Sequence, residues 1–210
     1  MLAIETNKSA KLNLQKNKSE KYYNILDSAG AVFAKYGFHK ATISQIASQA
    51  GVADGTLYLY FKNKEDILYQ FANFKTNAVF KKMHSAVEKG KTAEEKLRNL
   101  IRCHLTEFQN DKNMAMIFQS EVRYLRDMES KVKDISKMYL DLLSDIIEQG
   151  QIDKSMRQDL FVGLVKRFIV GAVEGVISTW LSADGRYDLV SMADPLVDLY
   201  LTGVQENKSH

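Results

Sequence analysis

Residues 42–68 have the sequence TISQIASQAGVADGTLYLYFKNKEDIL, and this stretch decides the fold of the N-terminal part of the chain. It predicts two short helices joined by a turn at Gly51, where a positive φ costs a glycine little. Thr42 or Ser44 can cap the first helix, and Asp54 is placed to cap the second. The apolar residues of the first helix share one face: Ile43, Ile46, Ala47 and Ala50.

Two short helices around a glycine turn form the pattern of a helix-turn-helix, which lays its second helix in the major groove of DNA. A generic helical hairpin would explain the turn. It would not explain Gly55 and Thr56 at the start of the second helix, or two tyrosines beside two lysines. Leu57 and Phe61 are expected in the core. The predicted DNA contacts are Thr42, Ser44, Gln45, Gly55, Thr56, Tyr58, Tyr60, Lys62 and Lys64.

The predicted contacts differ in what they can do. Gly55 allows backbone to approach DNA closely, and Thr56 can donate to a phosphate or pack its methyl group on thymine. Tyr58, Tyr60 and the ammonium of Lys64 can reach phosphates. The short second helix has no Lys or Arg at a base-reading position. We therefore expect specificity to depend on backbone approach, apolar contact, Gln45 and DNA shape.

The whole chain has the composition of a helical globular protein. Of its 210 residues 45% are hydrophobic and 26% are charged, and the only proline is Pro195. Stretches with a 3.6-residue period are long, and no alternating strand pattern is bounded by turn residues. The sequence therefore predicts an all-α fold of about nine helices.

Charge and cysteine content narrow the function classes. Residues 1–66 carry nine lysines against six acidic residues, so the net charge of +3 lies with the predicted DNA-binding segment. The single Cys103 cannot form an intramolecular disulfide. The apolar stretch 161–181 is interrupted by charged residues, and the N-terminus has no apolar signal region. We expect a cytoplasmic protein that does not enter a membrane.

Three segments follow from the patterns along the chain. Residues 1–19 are polar and lysine-rich, which predicts a flexible basic tail that either contacts the minor groove or is a plain tail. Residues 20–66 form the helix-turn-helix domain, which has a further helix, starting at Ser19–Glu20, before the two short ones. Residues 67–210 form a larger helical domain, in which Thr92 and Glu95 make a capping box. Pro195 either kinks the last helix or marks its start.

Residues of about 20–68 resemble the DNA-binding domain of the TetR family of bacterial transcriptional repressors. The run from Gly51 to Leu68 is most similar to members that repress fatty-acid degradation genes and respond to acyl-CoA. Weaker similarity extends over 119–123, 171–180 and 187–190. The resemblance implies an N-terminal three-helix DNA-binding domain, a larger ligand-binding and dimerisation domain, and a small hydrophobic effector.

An effector needs a pocket in the large domain. Met and Phe side chains give an adaptable apolar lining that suits a long acyl chain, although each of them can equally fill a core. Arg123 and Arg126 share a helical face and suit a CoA phosphate. They can equally pair with Glu121, Asp127 or Glu129. The predicted ligand contacts are Phe108, Met114, Phe118, Arg123, Arg126, Met138, Tyr139, Leu142, Phe168 and Val173.

Residues 157–183 and 188–204 resemble the dimer helices of that family. Small residues permit close helix approach and large apolar ones supply buried area, although packing within one chain would use them as well. The residues expected at the dimer interface are Gly171, Gly175, Ile177, Trp180 and Leu181. A dimer lets two helix-turn-helix domains recognise the two halves of a palindromic operator.

Enzyme and metal chemistry have little support. The four histidines have no ligand spacing, and no nucleophile elbow, phosphate loop or catalytic carboxylate pair is visible. The sequence therefore predicts a homodimeric repressor without cofactor, released from its operator when a long-chain acyl-CoA binds. The alternatives are a regulator of the same fold that senses another hydrophobic ligand or drug, for example to control an efflux pump, and a helical interaction module that does not bind DNA.

Overall fold

The computed structural model describes the backbone of residues 2–128 and 130–204, and the side chains of 19–120 and 137–203. Throughout these backbone ranges the regular structure is helical, which confirms the all-α prediction. The α-helices are α1 Leu2–Tyr36, α2 Ile43–Ala50, α3 Asp54–Leu57, α4 Lys64–Glu88, α5 Ala93–Asn110, α6 Lys112–Met128, α7 Ser130–Ile152, α8 Val162–Ser182 and α9 Ala193–Val204. A 3₁₀ turn, Val190–Met192, precedes α9.

The chain divides into two compact units, one up to Ala72 and one from Asn73 onward. Helix α4 starts in the first unit and continues into the second. No described helix is long and apolar enough to cross a membrane.

Helix α1 begins much earlier than the sequence patterns suggested. We expected a flexible tail over 1–19, whereas the helical backbone starts at Leu2. Residues 2–18 contain neither glycine nor proline, and nine of these seventeen residues are Lys, Leu or Ala. These residues lose little free energy in a helix, so an established helix can extend through them. Their side chains lie outside the described residues, and so does the predicted minor-groove contact.

The first unit has a core made by all its helices. Buried apolar side chains of α1 meet those of α2, and the end of α3 with the turn after it closes the cluster. The members, all at most 3% exposed, are Ile25, Leu26, Phe33, Ile46, Ala47, Leu57 and Phe61. Gly51 ends α2 with φ +66°, and its N–H donates to the Ser48 carbonyl oxygen. Gly30 lies against the Phe71 ring, where a Cβ would come within 2.5 Å. The predicted turn glycine is thus confirmed.

Polar contacts set the helix ends in the second unit. The Thr92 hydroxyl accepts from the Glu95 N–H at 3.1 Å, as the capping box predicted. The Glu95 carboxylate, however, accepts from the Lys91 N–H at 2.7 Å. Pro195 is the third residue of α9, in the first turn where the missing N–H does no harm. It therefore marks the true start of this helix.

Ion pairs tie α5 to α9 at the surface of the second unit. The Arg98 guanidinium bonds to the carboxylates of Glu94 and Asp198. Arg102 donates to Asp194 at 2.5 Å. Both arginines are partly in solvent, so each pair contributes little free energy and mainly fixes the register of the two helices.

Candidate DNA-binding surface and effector cavity

Thr42 and Gln45 hold the start of α2. The Thr42 hydroxyl accepts from the Gln45 N–H at 3.2 Å, and the Gln45 amide oxygen accepts from the Thr42 N–H at 2.9 Å. This is the reciprocal capping box that stabilises a helix N-terminus. Both bonds use the side chains as acceptors, so the Thr42 O–H and the Gln45 amide N–H groups can still donate to a phosphate. The predicted cap is confirmed, and the DNA contacts stay predictions.

Asp54 has a different role from the one expected. The N-cap of α3 is Ala53, which makes no side-chain cap, and Asp54 is the first helical residue. Its carboxylate accepts a hydrogen bond from the Ser44 hydroxyl and so joins α3 to α2. The prediction that Asp54 caps α3 is wrong. Ser44, expected to contact DNA, has its hydroxyl proton committed to Asp54, so we withdraw it as a phosphate donor.

The outer face of α3 and the following turn carries an open and partly apolar surface. Gly55 is exposed, and a Cβ there would meet no atom within 4 Å. The Tyr58 side chain is 60% exposed and that of Leu59 is 77% exposed. Thr56 and Tyr60 are partly buried. Sequence reasoning missed Leu59, which lies in the turn after α3 and is exposed, whereas Leu57, two residues earlier, is buried.

Lys64 is engaged inside the first unit. Its ammonium donates to the carbonyl oxygens of Phe38 at 2.7 Å, Ala41 at 2.9 Å and His39 at 3.3 Å. It also lies 4.6 Å from the centroid of the Phe38 ring. An ammonium has three N–H groups, and all three are directed at the loop between α1 and α2. The predicted phosphate contact of Lys64 is therefore replaced by a structural role.

Lys62 remains the lysine of this pair that faces solvent. Its side chain is exposed, and its backbone N–H donates to the Asp66 carboxylate at 2.9 Å. The Asn63 amide oxygen accepts from the Asp66 N–H at 2.8 Å and caps α4. The exposed Lys62 side chain leaves the backbone two residues before α4, whose N-terminal N–H groups also favour an anion.

The second unit contains a cavity of about 190 Å³. Its walls come from α4 to α8 and are mostly apolar. They consist of Thr76, Val79, Phe80, Met83, His104, Phe108, Met114, Phe118, Gln119, Tyr139, Leu140, Val170, Val173, Glu174 and Ile177. The predicted ligand contacts Phe108, Met114, Phe118, Tyr139 and Val173 are brought together here.

Other predicted ligand contacts do not meet at the cavity. Met138 and Leu142 are absent from its described walls. The Phe168 side chain is 63% exposed and stacks on the Tyr200 ring, with centroids 6.4 Å apart. The prediction for Phe168 is therefore wrong, because its side of α8 faces away from the cavity. Arg123 and Arg126 lie outside the residues with described side chains.

Sequence reasoning also missed the contribution of α4. Four of its residues, Thr76, Val79, Phe80 and Met83, line the cavity. Their spacing of three, one and three residues places them on one helical face, which is the signal that could have found them. Without the neighbouring helices, that face cannot be told from ordinary core.

A polar cluster interrupts the apolar wall. His104 Nδ1 lies 3.3 Å from the Tyr139 hydroxyl, and the two rings meet edge to face with centroids 5.2 Å apart. Burial lowers the pKa of His104 to about 4. Burial, and then the negative charge of Glu174, raise the pKa of Tyr139 above its usual value. Both groups are therefore uncharged at neutral pH.

Two further polar groups lie in the same wall. The Gln119 amide N–H donates to the Glu174 carbonyl oxygen over 3.4 Å, a long bond. The Thr76 hydroxyl oxygen is buried without a hydrogen-bond partner among the described residues. Across the described part of the chain, no group of three His, Cys, Asp or Glu residues is arranged to hold a metal ion.

The residues expected at a dimer interface divide into two sets. Gly171 and Gly175 are exposed, and a Cβ on either would meet no atom within 4 Å. Ile177, by contrast, is 1% exposed and lines the cavity. Trp180 is 3% exposed, and its indole N–H donates to the Tyr187 carbonyl oxygen at 2.9 Å. Leu181 is partly buried. The interface predictions for Ile177 and Trp180 are wrong, because both face their own core.

Large apolar side chains lie instead on the outer face of α8 and α9. Leu164 and Phe168 are each 63% exposed, and Leu199 is 77% exposed. Leu164, Phe168, Gly171 and Gly175 are spaced by four, three and four residues, so they form one stripe on α8. These exposed apolar residues are the candidates for an interaction surface on this helix.

Comparison with known proteins identifies both parts of the chain. Residues 25–70 match the model of bacterial regulatory proteins of the tetR family, and residues 72–203 match that of the YsiA-like protein C-terminal region. The fatty acid metabolism regulator protein of Bacillus subtilis (strain 168) is 37% identical over 190 residues, which cover 90% of this chain and 98% of the relative.

Two solved structures are similar to this chain in both fold and sequence. The transcriptional regulator FadR from Bacillus subtilis, in complex with stearoyl-CoA, matches with a TM-score of 0.81 and 37% identity, over 88% of this chain and 100% of that one. The fatty acid degradation regulator FadR from Bacillus halodurans matches with a TM-score of 0.78 and 34% identity, over 88% and 100%. The chain belongs to the TetR family of bacterial transcriptional regulators.

Proposed function

We propose that this protein is a homodimeric transcriptional repressor that leaves its operator when a long-chain acyl-CoA occupies the cavity of its second unit, and that it controls fatty-acid degradation genes. The observation that carries the proposal is the wall of that cavity: Thr76, Val79, Phe80 and Met83 belong to α4. The same helix begins at Lys64, beside the helix-turn-helix. The Bacillus subtilis relative bound to stearoyl-CoA supports the choice of effector.

The cavity is small, and its size relates ligand binding to a movement of its walls. Its volume of about 190 Å³ is below the ~300–1,000 Å³ of common ligand pockets. A long acyl chain would need the walls to separate, and α4 is one of them. The ligand then binds best to a conformation with a displaced α4, which is the requirement for shifting an equilibrium. A tenfold loss of DNA affinity needs about 1.4 kcal/mol of such coupling.

The DNA-binding surface that we propose is narrower than the sequence suggested. Gly55, Tyr58 and Leu59 form its exposed centre, with Lys62 at one side as a phosphate contact. Thr42, Gln45, Thr56 and Tyr60 remain proposed contacts. With Lys64 and Asp54 engaged internally, apolar and backbone contacts carry more of the sequence recognition.

Homodimerisation is proposed through the outer stripe of α8 together with Leu199 of α9. The stripe combines two large apolar residues, Leu164 and Phe168, with two glycines whose Cβ positions are open. Glycines let a second helix approach closely, and burying the large residues supplies the free energy. A two-fold axis across this face would pair two reading heads for a palindromic operator. Because the operator is chromosomal DNA, the proposed location is the cytoplasm, and the role is regulatory rather than enzymatic.

The proposal is tested by fluorescence anisotropy with DNA from upstream of the protein's own gene. Stearoyl-CoA should weaken DNA binding at least tenfold, whereas a cationic dye of similar size should not. Val173→Phe fills the cavity wall and should bind DNA as the wild type does but no longer respond. Ile152→Phe, at a residue that is 80% exposed at the end of α7, is the matched control. Release by the dye and not by stearoyl-CoA would favour the drug-sensing alternative.

A further inference from the structure

The polar cluster in the cavity has one hydrogen-bond donor more than it can use. A neutral imidazole carries one N–H and a tyrosine one O–H, and the contact between His104 and Tyr139 consumes one of the two. If Tyr139 donates to Nδ1, the Nε2–H of His104 remains. If His104 donates to the tyrosine oxygen, the Tyr139 O–H remains. In either tautomer one donor faces the cavity.

This donor finds no acceptor in the described part of the chain. His104 and Tyr139 both line the cavity, and the contact between them is the only hydrogen bond that either side chain makes there. Leaving a buried donor unpaired costs free energy, so buried polar groups nearly always have a partner. A purely aliphatic ligand would displace any water from this donor and provide nothing in return.

The two groups that share this contact are uncharged at neutral pH. Burial lowers the pKa of His104 to about 4 and raises the pKa of Tyr139 above its usual value. The remaining donor therefore belongs to a neutral group, which can pair with an oxygen acceptor that carries no charge.

We infer that the effector places an oxygen acceptor against His104 and Tyr139, so that the protein selects acyl chains bearing a carbonyl or hydroxyl oxygen at this depth. Two sources fit this chemistry: the thioester carbonyl of an acyl-CoA, and an oxygen carried on the chain itself. This inference rests on the proposed function, because it names which part of the acyl-CoA the cavity distinguishes.

The test compares three CoA ligands of equal chain length by isothermal titration calorimetry. Stearoyl-CoA has the thioester carbonyl, S-octadecyl-CoA replaces it with a methylene group, and hydroxystearoyl-CoA adds a chain hydroxyl. Wild-type protein should bind stearoyl-CoA about five- to tenfold more tightly than the thioether if the carbonyl is the acceptor, as expected for one hydrogen bond. It should bind the hydroxylated chain more tightly than stearoyl-CoA by a similar factor if the chain carries the acceptor.

Variants separate this preference from general binding. The double variant His104→Phe/Tyr139→Phe removes both donors of the pair and should reduce the preference between the ligands to less than twofold. Phe118→Leu, another cavity-wall substitution without a polar atom, should weaken all three ligands alike and keep the preference. Equal affinity of wild-type protein for all three ligands would overturn the inference while leaving the repressor proposal intact. Failure of every ligand to bind would overturn the acyl-CoA proposal itself.

Discussion

Replacing Lys64 with methionine separates a structural lysine from a DNA contact. Methionine keeps the length and most of the apolar stem of the side chain but removes the ammonium. The three carbonyl oxygens at 2.7, 2.9 and 3.3 Å are then left without their donor. Because the loop between α1 and α2 is held by these bonds, the change should destabilise the first unit.

The size of the effect follows from the geometry. A hydrogen bond to a charged group contributes about 1.5–3 kcal/mol, but Lys64 is only half-buried and water can replace part of this bonding. Two of the bonds are short and one is long, so we expect a destabilisation of about 1–3 kcal/mol in total. For a chain of this size that corresponds to a fall of roughly 2–10 °C in Tm.

The assay combines thermal unfolding with the salt dependence of DNA binding, and Lys62→Met is the matched control. Lys64→Met should lower Tm and leave the slope of log K against log salt unchanged. Lys62→Met should leave Tm unchanged and make the slope shallower by about 0.9 for each phosphate that the variant no longer neutralises. Unchanged stability together with a shallower slope for Lys64→Met would refute the structural role and restore the phosphate contact.

Three further predictions concern other parts of the molecule. Leu59→Ala should weaken operator binding about three- to tenfold. If Leu59 contacts thymine methyl groups, the variant should bind an operator with uracil in place of thymine as tightly as the normal operator. A variant that still prefers thymine to uracil would exclude that contact. Phe168→Glu should make the protein monomeric in sedimentation equilibrium, whereas Ile152→Glu, at a residue that is 80% exposed at the end of α7, should not; a dimeric Phe168→Glu protein would exclude this face. His104 is neutral when folded, with its pKa lowered from 6.5 to about 4, so the unfolded chain binds more protons between these values. The free energy of unfolding should therefore fall as the pH drops from about 6.5 to about 4. In urea unfolding, this fall should be up to about 3 kcal/mol larger for the wild type than for His104→Gln. Parallel pH profiles for the two proteins would contradict the buried neutral histidine.

The helix-turn-helix could be predicted because its determinants are local. Thr42 caps α2 through a partner three residues away, and Gly51 adopts a positive φ in the turn that follows. Caps and turns depend on residues that are close in sequence, so their pattern is visible without the rest of the fold. The same pattern misassigned Asp54, because its actual partner, Ser44, lies ten residues earlier on another helix.

The interior of the second unit was predicted only in part. The sequence supplied apolar candidates such as Phe108, Met114 and Val173, which do meet at the cavity. It did not find the polar cluster of His104 and Tyr139, which are 35 residues apart and meet only when α5 packs near α7. A single histidine on an amphipathic helix such as α5 has no local signal that identifies its partner.

The sequence by itself therefore determined the helical fold class, the helix-turn-helix and the family. Which face of α8 points inward was decided only by tertiary structure. This helix is apolar on more than one side, so its periodicity could not separate Ile177 and Trp180, which are buried in their own unit, from Leu164 and Phe168, which are exposed. Apolar residues are favoured on both faces, because a protein core and a subunit interface both exclude water. Only the packing of α8 against its neighbours assigns one face to the cavity and leaves the other exposed, where we propose that a second copy of the chain binds.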